Sequence, residues 1–250
     1  MPNHVRNQIE FHGDQENINK VLGLIKGEED YISFNKIVPM PESLQINSSS
    51  DNDIAMLCYL SNKMEVPFEE LDKHYLSHIT NMFDSNWAST LYYERLPNRK
   101  EDFDKLYELG KACCENIKHY GHTDWYGWCR DYWGTKWDAY DTYIYENIIE
   151  FNTAWSCPIP VLDKLAEICY EYDVCFTGKW ADEDMGSNVG IFESDCDGDE
   201  YWFSFEYMEN CSNEAYDIYI DLQGESSCLG KDENGNWIHY DCDDCPNKCY

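Results

Sequence analysis

Two hundred and fifty residues, 43 % hydrophobic and 16 % aromatic, can fill one large or two small cores, which excludes disorder as the state of the whole chain. Eighteen Lys and Arg face 49 Asp and Glu, a formal charge of −31 that argues against direct binding to phosphate backbones. The natural counterpart is a strongly basic surface, and such surfaces belong most often to proteins that handle nucleic acid.

Residues Val5 to Phe11 alternate, with Val5, Asn7, Ile9 and Phe11 on one side, which predicts a strand with one covered face. Asp14 is placed to cap a helix whose apolar stripe is Ile18, Val21, Leu22 and Ile25 and which Gly27 stops. Tyr31 to Val38 reads as a second strand, closed by Pro39 and Pro41, which supply no ladder donors. From about residue 47 to 140 the pattern is helical, opening with the polar run Asn47 to Asn52. This is expected to be an inserted helical region with helices over Ile54–Asn62, Phe68–Phe83 and Lys100–Tyr120.

Thr142 to Trp155 is expected to form one long strand with Ile149, Phe151, Thr153 and Trp155 on a single face. Pro158 and Pro160 open a helix with the stripe Val161, Leu162, Leu165, Ile168, Cys169 and Tyr172, and Val174–Trp180 is the next strand. Without the insertion the order is strand, helix, strand, strand, helix, strand. That order predicts an α+β fold with a ferredoxin-like antiparallel sheet over residues 1–181. Further strands at Val189–Glu193, Tyr201–Tyr207, Ala215–Leu222 and Trp237–Tyr240 would extend the same sheet as an acidic β-meander over residues 182–250.

Three blocks carry a likeness: Met1-Pro2-Asn3-His4-Val5-Arg6-Asn7 leading to Gly13, Phe34-Asn35-Lys36-Ile37-Val38-Pro39-Met40-Pro41-Glu42, and Trp133-Gly134-Thr135-Lys136-Trp137-Asp138-Ala139-Tyr140-Asp141. In this order they resemble the YubB-type ferredoxin-like domain of phage and plasmid proteins, with the Ile149–Pro158 and Val161–Tyr172 segments also similar. The resemblance implies a mobile-element protein of this fold and brings no catalytic residues. Beyond about Asp182 the acidic, Cys-rich end departs from the pattern.

The acid is concentrated in that end. Residues 1–130 carry 13 basic and 21 acidic side chains, a charge of −8, and residues 131–250 carry 5 and 28, a charge of −23. Aromatics are interleaved with the carboxylates, which disordered acidic tails lack, so a folded acidic surface is expected. Strand alternation would place Asp217 and Asp221 on one face with Tyr219 between them. The expected partner-binding carboxylates are Asp182, Glu183, Asp184, Asp195, Asp197, Asp199, Glu200, Asp217 and Asp221, with Tyr201, Trp202 and Tyr219 as desolvated anchors.

Enzyme signatures are weak throughout. Lys136, Asp138 and Asp141 lie among aromatics, yet no nucleophile or metal cluster joins them, and Trp133, Trp137 and Tyr140 are better read as structural anchors around a Gly134 turn. His239, Cys242, Cys245 and Cys249 have a spacing that would close a structural zinc site, the alternative being a frayed tail with free thiols; no other cofactor is implied. Asp195 to Glu200 has Glu200 where a calcium loop needs glycine, and Asp232-Glu233-Asn234-Gly235 marks a tight turn, so both read as hairpin turns. His74 and His78 are four apart without the Glu of a zincin, and Gly224 to Lys231 fails the phosphate-loop spacing. With no secretory leader and no membrane span, the thirteen cysteines are expected to be mostly reduced core thiols and the protein cytoplasmic in its host.

The leading expectation is a non-enzymatic inhibitor of a host defence nucleoprotein complex, a CRISPR effector or a restriction enzyme, acting as a DNA mimic. The alternatives are a mobile-element housekeeping module that binds a transfer or replication protein, and an enzyme with a cleft beside Trp133–Asp141.

Overall fold

A computed structural model describes residues 3–79, 86–195 and 200–240. In chain order its main elements are β1 (His4–Gly13), α1 (Gln15–Ile25), the short α2 (Phe34–Ile37), α3 (Ser50–Leu60), α4 (Lys73–Leu76), α5 (Trp87–Thr90), α6 (Phe103–Tyr120) and α7 (Trp125–Tyr132). There follow β2 (Tyr140–Tyr145), β3 (Ile148–Ala154), α8 (Ile159–Tyr170), β4 (Val174–Asp182), β5 (Val189–Asp195), β6 (Trp202–Tyr207), α9 (Asn213–Gln223), β7 (Leu229–Lys231) and β8 (Trp237–His239). The chain divides into two compact units, residues 1–39 with 130–250, and residues 40–129.

The first unit is built on a six-stranded antiparallel sheet of order β2-β3-β1-β4-β5-β6. Its first four strands with α1 and α8 have the ferredoxin-like order, and β5 and β6 extend the sheet beyond β4. Strand alternation sets the layers. Val5, Ile9 and Phe11 of β1 pair in register with Asp182, Gly178 and Phe176 of β4, and Ile9 also faces Ile149 of β3. These apolar side chains bury on one face, closed by the stripe Val161, Leu162, Leu165 and Cys169 of α8 and by Ile18, Val21 and Ile25 of α1. The Asp14 carboxylate caps α1 by accepting from the Glu16 N–H at 2.9 Å, as its position in the sequence predicts. Trp180 is fully buried and stacks on Phe192 with ring centroids 6.2 Å apart. Gly190 permits this, since a Cβ there would overlap the Trp180 ring and the Glu206 carbonyl.

Three expected strands are corrected. Tyr31–Val38 contains no strand. Phe34 and Ile37 bury three residues apart in α2, whose first N–H donates to Asp138 Oδ1 at 2.6 Å while the Ser33 hydroxyl donates to Asp138 Oδ2 at 2.8 Å. A cap supplied from 104 residues away leaves no trace in the local pattern. Thr142–Trp155 is not one strand but part of the β2–β3 hairpin, turned at Glu146 with φ 52° and without the Gly or Pro that would have marked it. The second ferredoxin strand is therefore β2, after the helical region, and the insertion separates α1 from β2. Ala215–Leu222 is helix α9, with Ser212 Oγ accepting from the Ala215 N–H at 3.1 Å and Ala215, Tyr216, Tyr219 and Leu222 buried at helical spacing.

α9 packs on the face of the sheet opposite α8. Its Gln223 Nε2 donates to the Ala181 carbonyl, Asp221 pairs with Lys179, and its buried side chains join Ala181 and Val189, all on the side of β4 and β5 facing away from Phe176 and Trp180. β7 and β8 form a separate two-stranded ribbon. The expected turn at Asp232–Gly235 joins them, with Asp232 Oδ1 accepting from the Asn234 and Asn236 N–H groups at 2.8 Å each.

The second unit is helical. α3 and α6 run in close contact because Gly110 of α6 offers no side chain where a Cβ would overlap the Ala55 carbonyl. Met56, Leu57, Cys58, Leu91, Leu96, Leu106 and Cys113 form its core. The helix expected over Phe68–Phe83 is instead a 3-10 turn at Phe68–Glu70 followed by α4, which Asp72 starts afresh by accepting from the His74 N–H at 2.9 Å. Residues 80–83 of that expectation lie outside the described residues. Among the described residues no helix is long and apolar enough to cross a membrane.

Candidate interaction surface

The sequence singles out twelve residues as partner-binding, and they lie in three places. At the β4–β5 connection Glu183 and Asp184 are exposed, but Asp182 is only 4 % exposed. Its carboxylate accepts from Asn3 Nδ2 at 3.2 Å, the Asp184 N–H at 3.0 Å and Asn188 Nδ2 at 2.9 Å. Asp182 is thus a structural clasp between strand and turn, unavailable to a partner. At the opposite end of β5, roughly 20 Å away for seven extended residues, Asp195, Glu200, Tyr201 and Trp202 are exposed. Asp197 and Asp199 lie outside the described residues.

The third place is α9. Asp217 and Asp221 do share an exposed face, though by helical rather than strand geometry, and Tyr219 is turned inward into the cluster of Ala181, Val189, Ala215 and Leu222. Tyr219 cannot serve as a surface anchor. Glu214, which the strand reading passed over, completes the row Glu214, Asp217, Asp221 at steps of roughly 4.5 and 6 Å along the axis. The row is held at its middle and at its C-terminal member: Trp237 Nε1 donates to Asp217 at 2.7 Å, and Lys179 pairs with Asp221. From Ala181 to Gly230 the chain has fourteen carboxylates and no Lys, Arg or His.

Beside this acid runs an aromatic edge. β6 is the last strand of the sheet, and Trp202, Phe205 and Tyr207 are 49 %, 46 % and 54 % exposed. Phe205 and Tyr207 face the helix side, where Tyr207 meets Trp180 edge-on at 5.1 Å, while Trp202 and Glu206 face the side of α9.

The Trp133–Asp141 block is structural in its details. Gly134 turns the chain with φ 73°, Trp133 Nε1 donates to the Val38 carbonyl at 2.9 Å, and Asp138 is consumed by the α2 cap and its own Ala139 N–H. Lys136 lies over the rings of Trp137 and Trp155 at 4.7 and 5.0 Å. Asp141 accepts from Asn152 Nδ2 at 3.3 Å. Of the expected zinc ligands His239 is exposed on β8, and Cys242, Cys245 and Cys249 lie outside the described residues. Among the described residues no group of three or more His, Cys, Asp or Glu is arranged to hold a metal ion. Cys58, Cys113, Cys114 and Cys157 are free, buried thiols, Cys129 and Cys169 are buried too, and burial pushes Cys113 and Cys114 up to about 12.

The helical unit holds a cavity of about 530 Å³ whose residues the sequence did not bring together. Asp53, His78, Trp87, His122 and Asp124 line it. Asp124 is saturated, accepting from Asn52 Nδ2 at 2.8 Å, the Thr123 hydroxyl at 3.2 Å and the Tyr126 N–H at 3.0 Å. Burial pushes Asp53 up to about 6; Trp87 Nε1, donating from 3.3 Å, pulls the other way, and the Asp124 charge adds to the rise. His78 is held below the usual imidazole range by burial and then by His74 and His122. The separation of 71 positions between Asp53 and Asp124 hides this proximity from any motif.

Residues 132–224 match the family model of a ferredoxin-like domain in Api92-like protein. The matched stretch runs from α7 through β2 to β6 and α9. Among solved structures the chain is similar to protein api92 from Yersinia pseudotuberculosis, at 10 % sequence identity and a TM-score of 0.38, over 84 % of this chain and 99 % of that one. Comparison with curated proteins gives no match.

Proposed function

We propose that this chain is a phage- or plasmid-type protein of the YubB-type ferredoxin-like group that acts in the host cytoplasm as a stoichiometric inhibitor. Its partner is a host defence nucleoprotein complex, a CRISPR effector or a restriction enzyme, whose basic nucleic-acid-binding surface it occupies as an acidic DNA mimic. It binds neither nucleic acid nor membrane itself and carries out no turnover.

The observation that supports this most directly is the rigid row Glu214, Asp217 and Asp221 on a helix clamped to the sheet, within fifty residues that contain no basic side chain. Steps of roughly 4.5 and 6 Å make a row sparser than one strand's roughly 3.4 Å of axis per phosphate, but of the same linear kind, and fixed charges lose little entropy on docking. Trp202 supplies an exposed aromatic beside the acid, the kind of residue that concentrates binding energy in a small area.

The test is competition. Purified protein is titrated into a defence complex bound to labelled DNA, at 50 and 200 mM salt. Displacement at a one-to-one ratio that weakens at least tenfold at the higher salt, and that is lost in the triple variant Glu214→Gln, Asp217→Asn, Asp221→Asn, is the expected result. Unchanged DNA occupancy across a panel of CRISPR effectors and restriction enzymes overturns the proposal.

A further inference from the structure

We propose that the outer edge of β6, which no described strand pairs with, accepts an extended segment of the partner protein as a seventh strand, and that this segment alternates apolar and basic residues. The inference rests on the reading of the chain as an acidic protein-binding module and names the chemistry of what it holds.

The hydrogen-bond phase of β6 carries the argument. The Met208 N–H donates to the Val189 carbonyl at 2.9 Å, so residue 208 directs its main chain toward β5. Alternation along an antiparallel strand then turns Trp202, Ser204 and Glu206 toward β5 as well, and leaves the N–H and C=O groups of Phe203, Phe205 and Tyr207 facing outward. The register from Gly190↔Tyr207 to Asp195↔Trp202 is unbroken, so no bulge twists the edge away. Neither Pro nor Lys occurs between Glu200 and Asn210. Proteins normally blunt an edge strand with one of these devices. The opposite edge, β2, has one: its register shifts between Tyr140 and Tyr143. β6 has no bulge, Pro or Lys, and beside its exposed large aromatics its one charged side chain, Glu206, repels a second β6 but not a basic strand.

The two faces beside this edge fix the pattern of the occupant. On the helix side an incoming strand meets the rings of Phe203, Phe205 and Tyr207. On the other side it meets Trp202, Glu206 and Glu193. Side chains alternate with period two, so one face of the added strand must be apolar and the other cationic. A second copy of this chain is a poor occupant, because pairing β6 with itself brings Glu200, Glu206 and their neighbours against their own kind.

The probes are two fluorescein-labelled decapeptides of equal composition, one alternating Val and Lys, the other with five Val followed by five Lys. Anisotropy with the full chain is expected to show the alternating peptide binding at least tenfold more tightly. Phe205→Pro removes an outward N–H that makes no bond within the sheet, so circular dichroism should be unchanged while alternating-peptide affinity falls at least tenfold. The double variant Glu193→Gln, Glu206→Gln should weaken the same peptide without touching main-chain pairing. Equal affinity for both peptides would mean diffuse charge attraction and overturns the inference, as does a β6-paired dimer in sedimentation that Phe205→Pro dissolves. If peptide binding fails while the α9 row still governs DNA competition, the edge inference falls alone. If competition fails while peptide binding and its variants behave as stated, only the mimicry falls.

Discussion

Replacing Asp53 by Asn isolates one buried charge in the cavity of the helical unit. Asp53 is pushed from the ordinary 3.8 up to about 6, chiefly by burial. A carboxyl whose folded value is raised takes up a proton on folding, so its contribution to stability is whole below about pH 3.8 and is lost as pH rises through 6. About two units at 1.36 kcal/mol each give about 3 kcal/mol as the ceiling of that loss at neutral pH. Asn keeps an oxygen for the Trp87 N–H and carries no charge, so Asp53→Asn should stabilise the unit by about 1–3 kcal/mol at pH 8 and by almost nothing at pH 4. His78 works in the opposite sense, since an imidazole held low destabilises the fold as pH falls, and Asp124 and His122 share the cavity. Their own titrations are common to both proteins, and only their coupling to Asp53, of which the Asp124 charge is a part, enters the difference. Urea denaturation of both proteins at pH 4, 6 and 8 measures it. A gap between the midpoints that is the same at all three values, or that is widest at pH 4, would refute the reasoning.

Gly110→Ala forces a methyl into the Ala55 carbonyl and should cost about 3 kcal/mol or more, seen as loss of helical circular dichroism from the second unit at a lower temperature. Gly190→Ala drives the same conflict into the Trp180 ring and should shift near-ultraviolet dichroism as the Trp180–Phe192 stack is displaced. Asp138→Ala strips the cap from α2 and should cost about 1–2 kcal/mol in thermal denaturation, with DNA competition unchanged per folded molecule. Asp182→Ala leaves three donors without their acceptor and should destabilise by about 2–3 kcal/mol; after correction for folded fraction, the binding effect should belong to Asp217→Asn instead.

Wherever one face of an element is apolar and its partner is near in sequence, the chain determined its own structure. β1 with Val5, Ile9 and Phe11, α1 with its Asp14 cap, α8 with its stripe and β4 to β6 follow from periodicity that any burying surface would select; the ferredoxin-like order read from the sequence counted Tyr31–Val38 as its second strand, a place that β2 takes in the structure. The charge imbalance of the second half was likewise legible, because it requires only counting. Tertiary structure decided the cases where two local patterns were equally good. Asp217 to Asp221 alternates like a strand and also fits a helix, and the apolar floor offered by Ala181 and Val189 selects the helix, turning Tyr219 inward and its carboxylates out. Tyr31 to Val38 is held as a turn of helix by Asp138, and Asp182 is withdrawn from the surface by Asn3 and Asn188. Each of these depends on a hydrogen bond or a buried surface contributed by residues elsewhere in the unit, and a free energy that exists only once the chain has closed on itself cannot be read from a window of neighbours.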